Sequence, residues 1–234
     1  MDKKTSVPKH IAVIMDGNRR WAREHGLASV EGHKKVAEEM LEPLIEHAAM
    51  RGVKYMTFWA FSTENWNRSE AEIKGIMSIF RHVINKRWQR LHEKGVRIRV
   101  IGDLSRFPED IQESLQKVVE QSKNNTKITT IFALNYGGRD EMVRATNKML
   151  NAKCQMPNPK IEKKDIEEYL DTKGIPDPEL VIRTGGEQRL SGFLLWQIEY
   201  AEFAFPTWYM PDFTPEKLDE LLEEYQTRQR RFGK

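Results

Sequence analysis

The sequence predicts an α/β fold, a single domain spanning 1–234 whose mostly parallel six-stranded sheet is flanked by helices. Three observations carry that expectation. Short apolar runs alternate with helical patterns along most of the chain. Polar clusters fall just after those runs, where the carboxyl ends of parallel strands place a ligand. No Pro- or Ser-rich linker divides the 234 residues, a length that α/β domains reach as one unit.

Each element has its own signal. Ile11-Ala12-Val13-Ile14-Met15 is a short apolar run that stops at Asp16-Gly17-Asn18, a strand followed by a turn. Residues 32–51 read as a helix that stops at Arg51-Gly52. The aromatic-rich run 53–61 is a second strand. Ile73, Ile76, Met77, Phe80, Val83 and Ile84 then fall on one face of a long helix that ends near Lys94-Gly95. Residues 96–101 form a third strand ending at Gly102. Pro108 opens a helix that runs to about Lys123, residues 128–134 form a fourth strand, and residues 138–152 a helix. Two prolines make 153–160 a loop, and 165–170 is a short helix. Leu180-Val181-Ile182 is the fifth strand and 202–205 the sixth. Thr214-Pro215-Glu216 is a strong start for a final helix.

Composition excludes several classes. Lys plus Arg is 38 against 35 for Asp plus Glu, a net charge of +3, so the chain lacks the strongly basic footprint of a nucleic-acid binder. With 39% hydrophobic residues it is not disordered. A single cysteine, Cys154, allows neither an intrachain disulfide nor a cysteine zinc cage, and the cytosol fits best. No apolar run approaches the roughly 18 residues of a membrane span, and Met1 to Pro8 has no apolar signal-peptide region. The histidines His10, His25, His33, His47, His82 and His92 form no ligand pair at zinc spacing. Gly-x-x-x-x-Gly-Lys, Gly-x-Gly-x-x-Gly after strand one, Gly-x-Ser-x-Gly and Asp-Asp-x-x-Asp are all absent.

The clusters that remain suit phosphate chemistry. In Arg183-Thr184-Gly185-Gly186-Glu187-Gln188-Arg189-Leu190-Ser191 two glycines allow an inward-facing anion nest, two arginines supply charged forks and Ser191 a hydroxyl. The alternative is a tight turn with two surface arginines. Asp16 ends a buried strand among Gly17, Asn18, Arg19, Arg20 and Trp21, where a lone carboxylate facing a diphosphate suits Mg²⁺. Alternatively Asp16 makes an Asx turn that caps the next helix. Ser62-Thr63-Glu64-Asn65-Trp66-Asn67-Arg68 offers donors, a carboxylate and an arginine at another strand end. Its amide is a poor base, so Asn65 orients a substrate rather than taking a proton unaided. The same segment reads as a loop with Ser69 as N-cap and Glu72 closing a capping box. Phe58, Ala60 and Phe61 with the Ile73-to-Ile84 face make either ordinary core or the wall of an apolar tunnel. His33 is either a solvated residue at a helix start or a member of the Asp16 cluster.

These segments together resemble the cis-prenyltransferases, the family of undecaprenyl and dehydrodolichyl diphosphate synthases. The resemblance spans the chain. It rests on His10-Ile11-Ala12-Val13-Ile14-Met15-Asp16-Gly17-Asn18-Arg19-Arg20-Trp21-Ala22, Glu31-Gly32-His33-Lys34, residues 60–68, residues 183–197, Tyr200-Ala201-Glu202 and Arg230-Arg231-Phe232-Gly233, in that order. It implies the fold of that family, with its apolar tunnel, and Mg²⁺-dependent addition of isopentenyl diphosphate to an allylic diphosphate such as farnesyl diphosphate. Each new double bond would be cis, and the product a medium or long polyprenyl diphosphate such as undecaprenyl diphosphate, the precursor of a lipid carrier of glycans.

By the same resemblance, Asp16 would hold Mg²⁺ and assist departure of the allylic diphosphate. Gly17, Asn18, Arg19 and Arg20 would cradle that group with His33 nearby, and Trp21 and Trp66 would line the site. Ser62, Thr63, Glu64, Asn65 and Arg68 would serve isopentenyl diphosphate and its proton transfer. Arg183, Arg189, Leu190 and Ser191 would hold it. Glu202 would complete the metal site across a homodimer interface, which Arg231-Phe232-Gly233 would also reach. Ser29 stands where many relatives carry a basic residue, leaving Arg19 as the alternative cation, and Gln188 stands where some carry His. The enzyme would be cytoplasmic with transient contact to a membrane surface, where the basic stretch 81–94 is either a contact or a solvated face. The competing readings are a short-chain synthase, a noncatalytic partner subunit and a phosphate-ester hydrolase. Retention of Asp16, Asn65, Arg183, Arg189 and Glu202 counts against the noncatalytic reading, and no nucleophile or second metal carboxylate stands near Asp16 to favour the hydrolase.

Overall fold

The computed structural model describes residues 7–153 and 161–228. Its sheet has six strands, β1 (His10–Ile14), β2 (Tyr55–Ser62), β3 (Val96–Ile101), β4 (Ile128–Tyr136), β5 (Leu180–Arg183) and β6 (Glu202–Ala204), in the order β3-β4-β2-β1-β5-β6. Every adjacent pair is parallel. All five residues of β1 are buried. A central parallel strand is covered on both faces, which is why it reads as a continuous apolar run rather than an alternating one. Successive residues still serve opposite layers. Ile11, Val13 and Phe58 belong to one apolar cluster, and Ala12, Ile14, Ala133 and Phe193 to the other.

The chain leaves β1 toward β2 on one side, while β5 and β6 lie on the other. The carboxyl ends of β1 and β5 therefore flank a topological switch point, where open α/β sheets leave a crevice. Asp16 follows β1, and Arg183 ends β5 in register with Ile14. The β2–β4 ladder shifts register twice between Trp59 and Ser62, which bends the carboxyl end of β2 beside that crevice.

Helices cover both faces. They are α1 (Asn18–Glu24), α2 (Ser29–Lys35), α3 (Leu41–Met50), α4 (Glu70–Val83), α5 (Gln89–Glu93), α6 (Glu109–Ser122), α7 (Gly138–Lys153), α8 (Lys163–Glu167) and α9 (Pro215–Thr227). Thr214 caps α9 ahead of Pro215, as expected. Three features depart from the sequence reading. The helix expected over 32–51 begins at Ser29 and passes through a π-helical turn, Val36–Met40, into α3. The long helix after Ile73 contains a second such turn, Ile84–Trp88. A separate short helix, α1, follows Asp16, whose carboxylate accepts from the Gly17 N–H at 2.6 Å. Strand ends agree with expectation to within about two residues. The loop over 153–160 lies almost wholly outside the described residues.

The two helical runs are tied together by charge. The Glu42 carboxylate, 11% exposed, gathers Lys94 at 2.6 Å, Arg90 at 3.2 Å and Arg87 at 3.8 Å. Lys94 also pairs with Glu46, and Arg81 with Asp110 at 2.5 Å. The basic stretch 81–94 thus directs most of its cations at neighbouring helices, which favours a structural face over a membrane contact. Among the described residues no helix is long and apolar enough to cross a membrane.

His10 is 2% exposed. Its Nδ1 lies 2.6 Å from the Pro176 carbonyl, so it donates there, and its Nε2 accepts from the Thr57 hydroxyl at 2.8 Å. Burial holds its pKa down to about 4 despite the opposing effects of Pro176 and Glu179. The unfolded chain takes up this proton near pH 6.5 and the folded chain only near 4, so stability falls as pH drops through that window. Denaturant midpoints measured from pH 7 to 4.5 are expected to fall. His10→Gln should remove on the order of 2–3 kcal/mol of that pH dependence. An unchanged slope would contradict the buried neutral state.

Candidate active site

The crevice is organised around an ion pair between two strand ends. Arg183 is 5% exposed. Its Nη2 donates to Asp16 Oδ2 at 2.8 Å, and its Nη1 donates to Ser191 Oγ at 3.0 Å and to the Arg189 carbonyl. Its Nε is buried with no partner among the described residues. Thr184 completes the join. Its hydroxyl donates to the Asp16 carbonyl at 2.6 Å and accepts from the Asp16 N–H at 2.9 Å. Burial pushes the Asp16 carboxyl up, but Arg183, the Gly17 N–H and Arg20 together hold it below the usual carboxylate range. Asp16 is therefore ionised at neutral pH.

Glycine makes this approach possible. Gly17 has φ +96°, and a Cβ there would collide with the Tyr209 ring. Gly185 has φ +86°, and a Cβ there would lie 2.5 Å from Arg20 Nη2. The expected anion nest is corrected by the structure. The N–H groups of Gly185 and Gly186 donate to the carbonyls of Trp208 and Pro206 at 2.7 and 2.8 Å. These glycines dock the 206–208 segment instead of facing a ligand. Arg20 lies 3.4 Å from Asp16 and 3.8 Å from Glu187, over the Tyr209 ring, and Arg189 pairs with Glu187.

Two cavities of about 520 Å³ each meet at Asp16. One is polar. Gly17, Asn18, Arg19, Arg20, Arg23, Ser29, His33 and Arg68 line it. The other begins among Asp16, Asn18, His33, Ser62, Glu64, Asn65, Arg68, Arg183, Arg189 and Ser191, and continues between apolar walls that include Leu41, Ile76, Phe80, Val83, Trp88 and Phe132. Most of the expected residues thus converge. Five do not. Thr63, Trp21, Trp66, Leu190 and Glu202 line neither cavity.

Physical reasons account for them. The Trp21 indole donates to Asp212 at 2.9 Å and stacks on His25, so it backs α1 instead of lining the site. Trp66 donates to Asn135 at 2.9 Å and packs edge-on against Phe61 and Phe107. Thr63 donates to Glu64 at 3.0 Å, and Leu190 packs into the second apolar cluster. Glu202 is in register with Leu180, itself in register with Ile11, whereas Asp16 lies beyond the far end of β1. That separation is about 16 Å along the strands, so one chain does not bring Glu202 to Asp16. Glu202 pairs with Arg228 at 3.1 Å. Arg23, Trp59, Trp88 and Phe132 line the cavities without having been singled out. The polar clustering after strands could have found Arg23. The aromatics read as core.

Second contacts refine two roles. Asn65 Oδ1 accepts the Ser62 N–H at 3.1 Å while the Ser62 hydroxyl accepts the Asn65 N–H, a capping box on the turn Thr63–Asn67. That bond fixes the amide, leaving its NH₂ as the free end. The capping box expected at Ser69 is only half formed. Ser69 accepts from the Glu72 N–H at 3.4 Å, but the Glu72 carboxylate turns to Arg68 at 2.8 Å and Arg19 at 3.7 Å. Arg68 in turn lies 3.5 Å from His33 Nε2. Burial and the nearby Arg68 charge lower the His33 pKa to about 4, so its ring is neutral at pH 7.

Among the described residues no three His, Cys, Asp or Glu side chains gather as metal ligands. Asp16 is one carboxylate framed by arginines. Such a donor set fits Mg²⁺, which takes one or two carboxylates together with substrate phosphate oxygens.

The whole chain has known relatives. Residues 14–233 match a family model described as "Putative undecaprenyl diphosphate synthase". An isoprenyl transferase of Agrobacterium fabrum is 43% identical over 98% of this chain and 94% of its own. The crystal structure of lavandulyl diphosphate synthase from Lavandula x intermedia, in complex with dimethylallyl diphosphate, superposes with a TM-score of 0.92 at 35% identity, covering 97% of this chain and 99% of that one. The structure of a probable undecaprenyl diphosphate synthase from Campylobacter jejuni gives 0.82 at 30% identity, covering 98% and 100%.

Replacing Arg68 by Gln removes the cation that faces His33. The His33 pKa is then expected to rise from about 4, while burial, the larger cause, and Arg19 still hold it below 6.5. Titration of the imidazole resonances by NMR reads this directly, and an unmoved His33 midpoint would contradict the contact.

Proposed function

Because the chain belongs to the undecaprenyl diphosphate synthase family of isoprenyl transferases, enzymes that lengthen prenyl chains, we propose that it adds isopentenyl diphosphate to an allylic diphosphate with cis geometry. The observation that carries this reading is a single cavity with an ionised Asp16 and buried Arg183 at one end and apolar walls at the other. That polarity matches an amphiphile with a diphosphate head. The lavender synthase, which was crystallised with dimethylallyl diphosphate, lends support to an allylic primer. Farnesyl diphosphate is the primer we favour, with a medium or long polyprenyl diphosphate as product.

The residues divide the work by charge. The first-turn N–H groups of α1 have no carbonyl to bond within the helix, and with Arg20 and Arg19 they would hold the allylic diphosphate in the polar cavity. Arg183, Arg189 and Ser191 would hold the diphosphate of isopentenyl diphosphate. Mg²⁺ bound at Asp16 with the phosphate oxygens would neutralise charge on the leaving group. In the reaction the allylic C1–O bond breaks, the C4–C1′ bond forms, and a proton leaves C2. The Asn65 carbonyl is already engaged by Ser62, so its NH₂ is placed to donate to a phosphate oxygen and steer the departing diphosphate, the stronger base, toward that proton. Neutral His33 would accept or donate a hydrogen bond without adding charge.

A homodimer completes the proposal. Glu202 would reach the site of a second copy rather than its own Asp16. The Arg231-Phe232-Gly233 motif lies outside the described residues. Val143 and Leu150, exposed and seven residues apart on α7, with exposed Leu195 against Gly138 at the start of that helix, support an apolar contact face. The enzyme would work in the cytoplasm and touch membranes only to release product. The short-chain alternative keeps one specific support, the fold's close match to lavandulyl diphosphate synthase.

Purified protein with farnesyl diphosphate, labelled isopentenyl diphosphate, Mg²⁺ and detergent should give a ladder of C5 additions, sized by mass spectrometry. Asp16→Ala should depress it by about two to three orders of magnitude, as expected for loss of a group that stabilises developing charge. Asn65→Ala should lower kcat more than it raises KM. No incorporation with farnesyl, geranyl or geranylgeranyl primers would refute the catalytic reading.

A further inference from the structure

Tyr209 lines neither cavity, yet its side chain touches both ends of the helix that carries Arg20. At one end its ring packs so closely on Gly17, the N-cap of α1, that a Cβ there would overlap it. At the other end its hydroxyl donates at 2.6 Å to the carboxylate of Glu24, the last residue of α1. Between these contacts the Arg20 guanidinium carbon lies over the ring, 5.2 Å from its centroid and within cation–π range. The backbone that carries the ring is fastened to both strand ends of the crevice. The Met210 N–H donates to the Asp16 carbonyl at 3.0 Å, and the Trp208 carbonyl accepts from the Gly185 N–H at 2.7 Å.

Arg20 is held differently from its neighbours. Arg183 and Arg68 each donate a 2.8 Å hydrogen bond to a carboxylate. The carboxylates nearest Arg20, those of Asp16 and Glu187, stand at 3.4 and 3.8 Å. That is beyond the roughly 2.7–2.9 Å of a charge-assisted hydrogen bond. Among the described residues the Arg20 guanidinium makes no side-chain hydrogen bond. At those distances charge steadies the side chain without fixing its direction. Packing fixes it, against the Tyr209 ring and against Gly185, where a Cβ would lie 2.5 Å from Nη2. An aromatic face attracts the cation without the acceptor oxygen that would occupy its N–H donors. Those donors stay available to a ligand in the polar cavity, which Arg20 lines.

We propose that Tyr209 is a positioning residue for the allylic diphosphate: its ring pre-organises Arg20, so that the guanidinium meets the ligand in place and with its donors free. The inference rests on the prenyltransferase reading and extends it to a residue outside the cavities. A long side chain already held in its binding position costs less to order when the ligand arrives. A hydrogen-bonded carboxylate in the same role would have to be displaced, whereas the ring stays where it is.

Steady-state assays that vary each substrate with the other saturating test this, together with titration calorimetry of farnesyl diphosphate and Mg²⁺ alone. Tyr209→Leu keeps apolar packing on Gly17 but removes the ring face. It should raise the KM and Kd for farnesyl diphosphate about two- to fivefold, with kcat and the KM for isopentenyl diphosphate unchanged. Tyr209→Phe keeps the face, loses only the Glu24 tether, and should restore the intact protein's affinity. In an Arg20→Met background Tyr209→Leu should have no further effect on Kd, the signature of a residue that acts through Arg20. Thermal melting checks the fold of each variant, and Tyr209→Met takes the place of Tyr209→Leu if the latter does not fold. Unchanged farnesyl diphosphate affinity in Tyr209→Leu overturns the proposal. So does equal weakening of both substrates, a Tyr209→Phe defect as large as that of Tyr209→Leu, or an effect that persists without Arg20, each of which makes Tyr209 a structural staple. All four leave the prenyltransferase reading intact. An intact protein that neither binds farnesyl diphosphate nor incorporates isopentenyl diphosphate overturns both.

Discussion

The ion pair between Arg183 and Asp16 joins the carboxyl ends of β5 and β1, and the rest of the site is arranged about it. Arg183 is nearly fully buried, so its charge must be compensated locally or the fold loses several kcal/mol. Asp16 supplies the compensation from across the switch point, while Ser191 and the Arg189 carbonyl bind the other side of the guanidinium. One interaction therefore fixes three things at once. It sets the register of the two strand ends, folds the 184–191 segment back over Arg183, and keeps Asp16 ionised. The unpartnered Nε shows that the guanidinium still has capacity for another acceptor.

The surrounding charges are also held in pairs. Glu72 holds Arg68 and Arg19, and Glu187 holds Arg189 and lies near Arg20. Each arginine is positioned by a carboxylate that an incoming diphosphate would outcompete, because a diphosphate offers more charge and more acceptor oxygens to the same forks. Exposure grades the response. Arg183 is buried and stays put, whereas the Arg19 side chain is 59% exposed and only loosely held at 3.7 Å. Arg19 is therefore free to swing. Ser29 lines the same cavity, where Arg23 also stands.

Much of this was legible in the sequence, for reasons particular residues make plain. The six strands could be read because doubly covered parallel strands such as β1 and β5 must be continuously apolar. The clusters at Asp16, Ser62 and Arg183 could be read because polar residues directly after such runs have little structural reason to be there. Other features left no such trace. A π-helical turn does not disturb the 3.6-residue apolar period enough to be seen, so Val36–Met40 and Ile84–Trp88 read as ordinary helix. Trp21 and Trp66 lie inside the motifs, but sequence adjacency does not fix direction, and each ring turns to a hydrogen-bond partner away from the cavity. Gly185 and Gly186 signalled a close approach correctly, but what approaches is the chain's own 206–208 segment. Trp88 and Phe132 looked like core because by burial they are core. Only their place in the lining of the cavity separates them from other core residues.

The two ends of that cavity impose opposite physics on one ligand. At the Asp16 end, apolar walls close behind the arginines, and charge interactions strengthen as water is excluded. That favours a bound head group whatever the tail. At the far end each stretch of newly covered apolar surface contributes about 25 cal/mol per Å² removed from water. A lengthening tail therefore binds ever more tightly while wall remains. On the proposed function, length beyond the apolar walls would have to fold back or lie exposed, and the gain would end. On the proposed function, retention of a growing chain would then need no moving part. It would follow from a charged mouth and apolar walls, with Glu42 against Arg87, Arg90 and Lys94 tying the two helical runs beside them together.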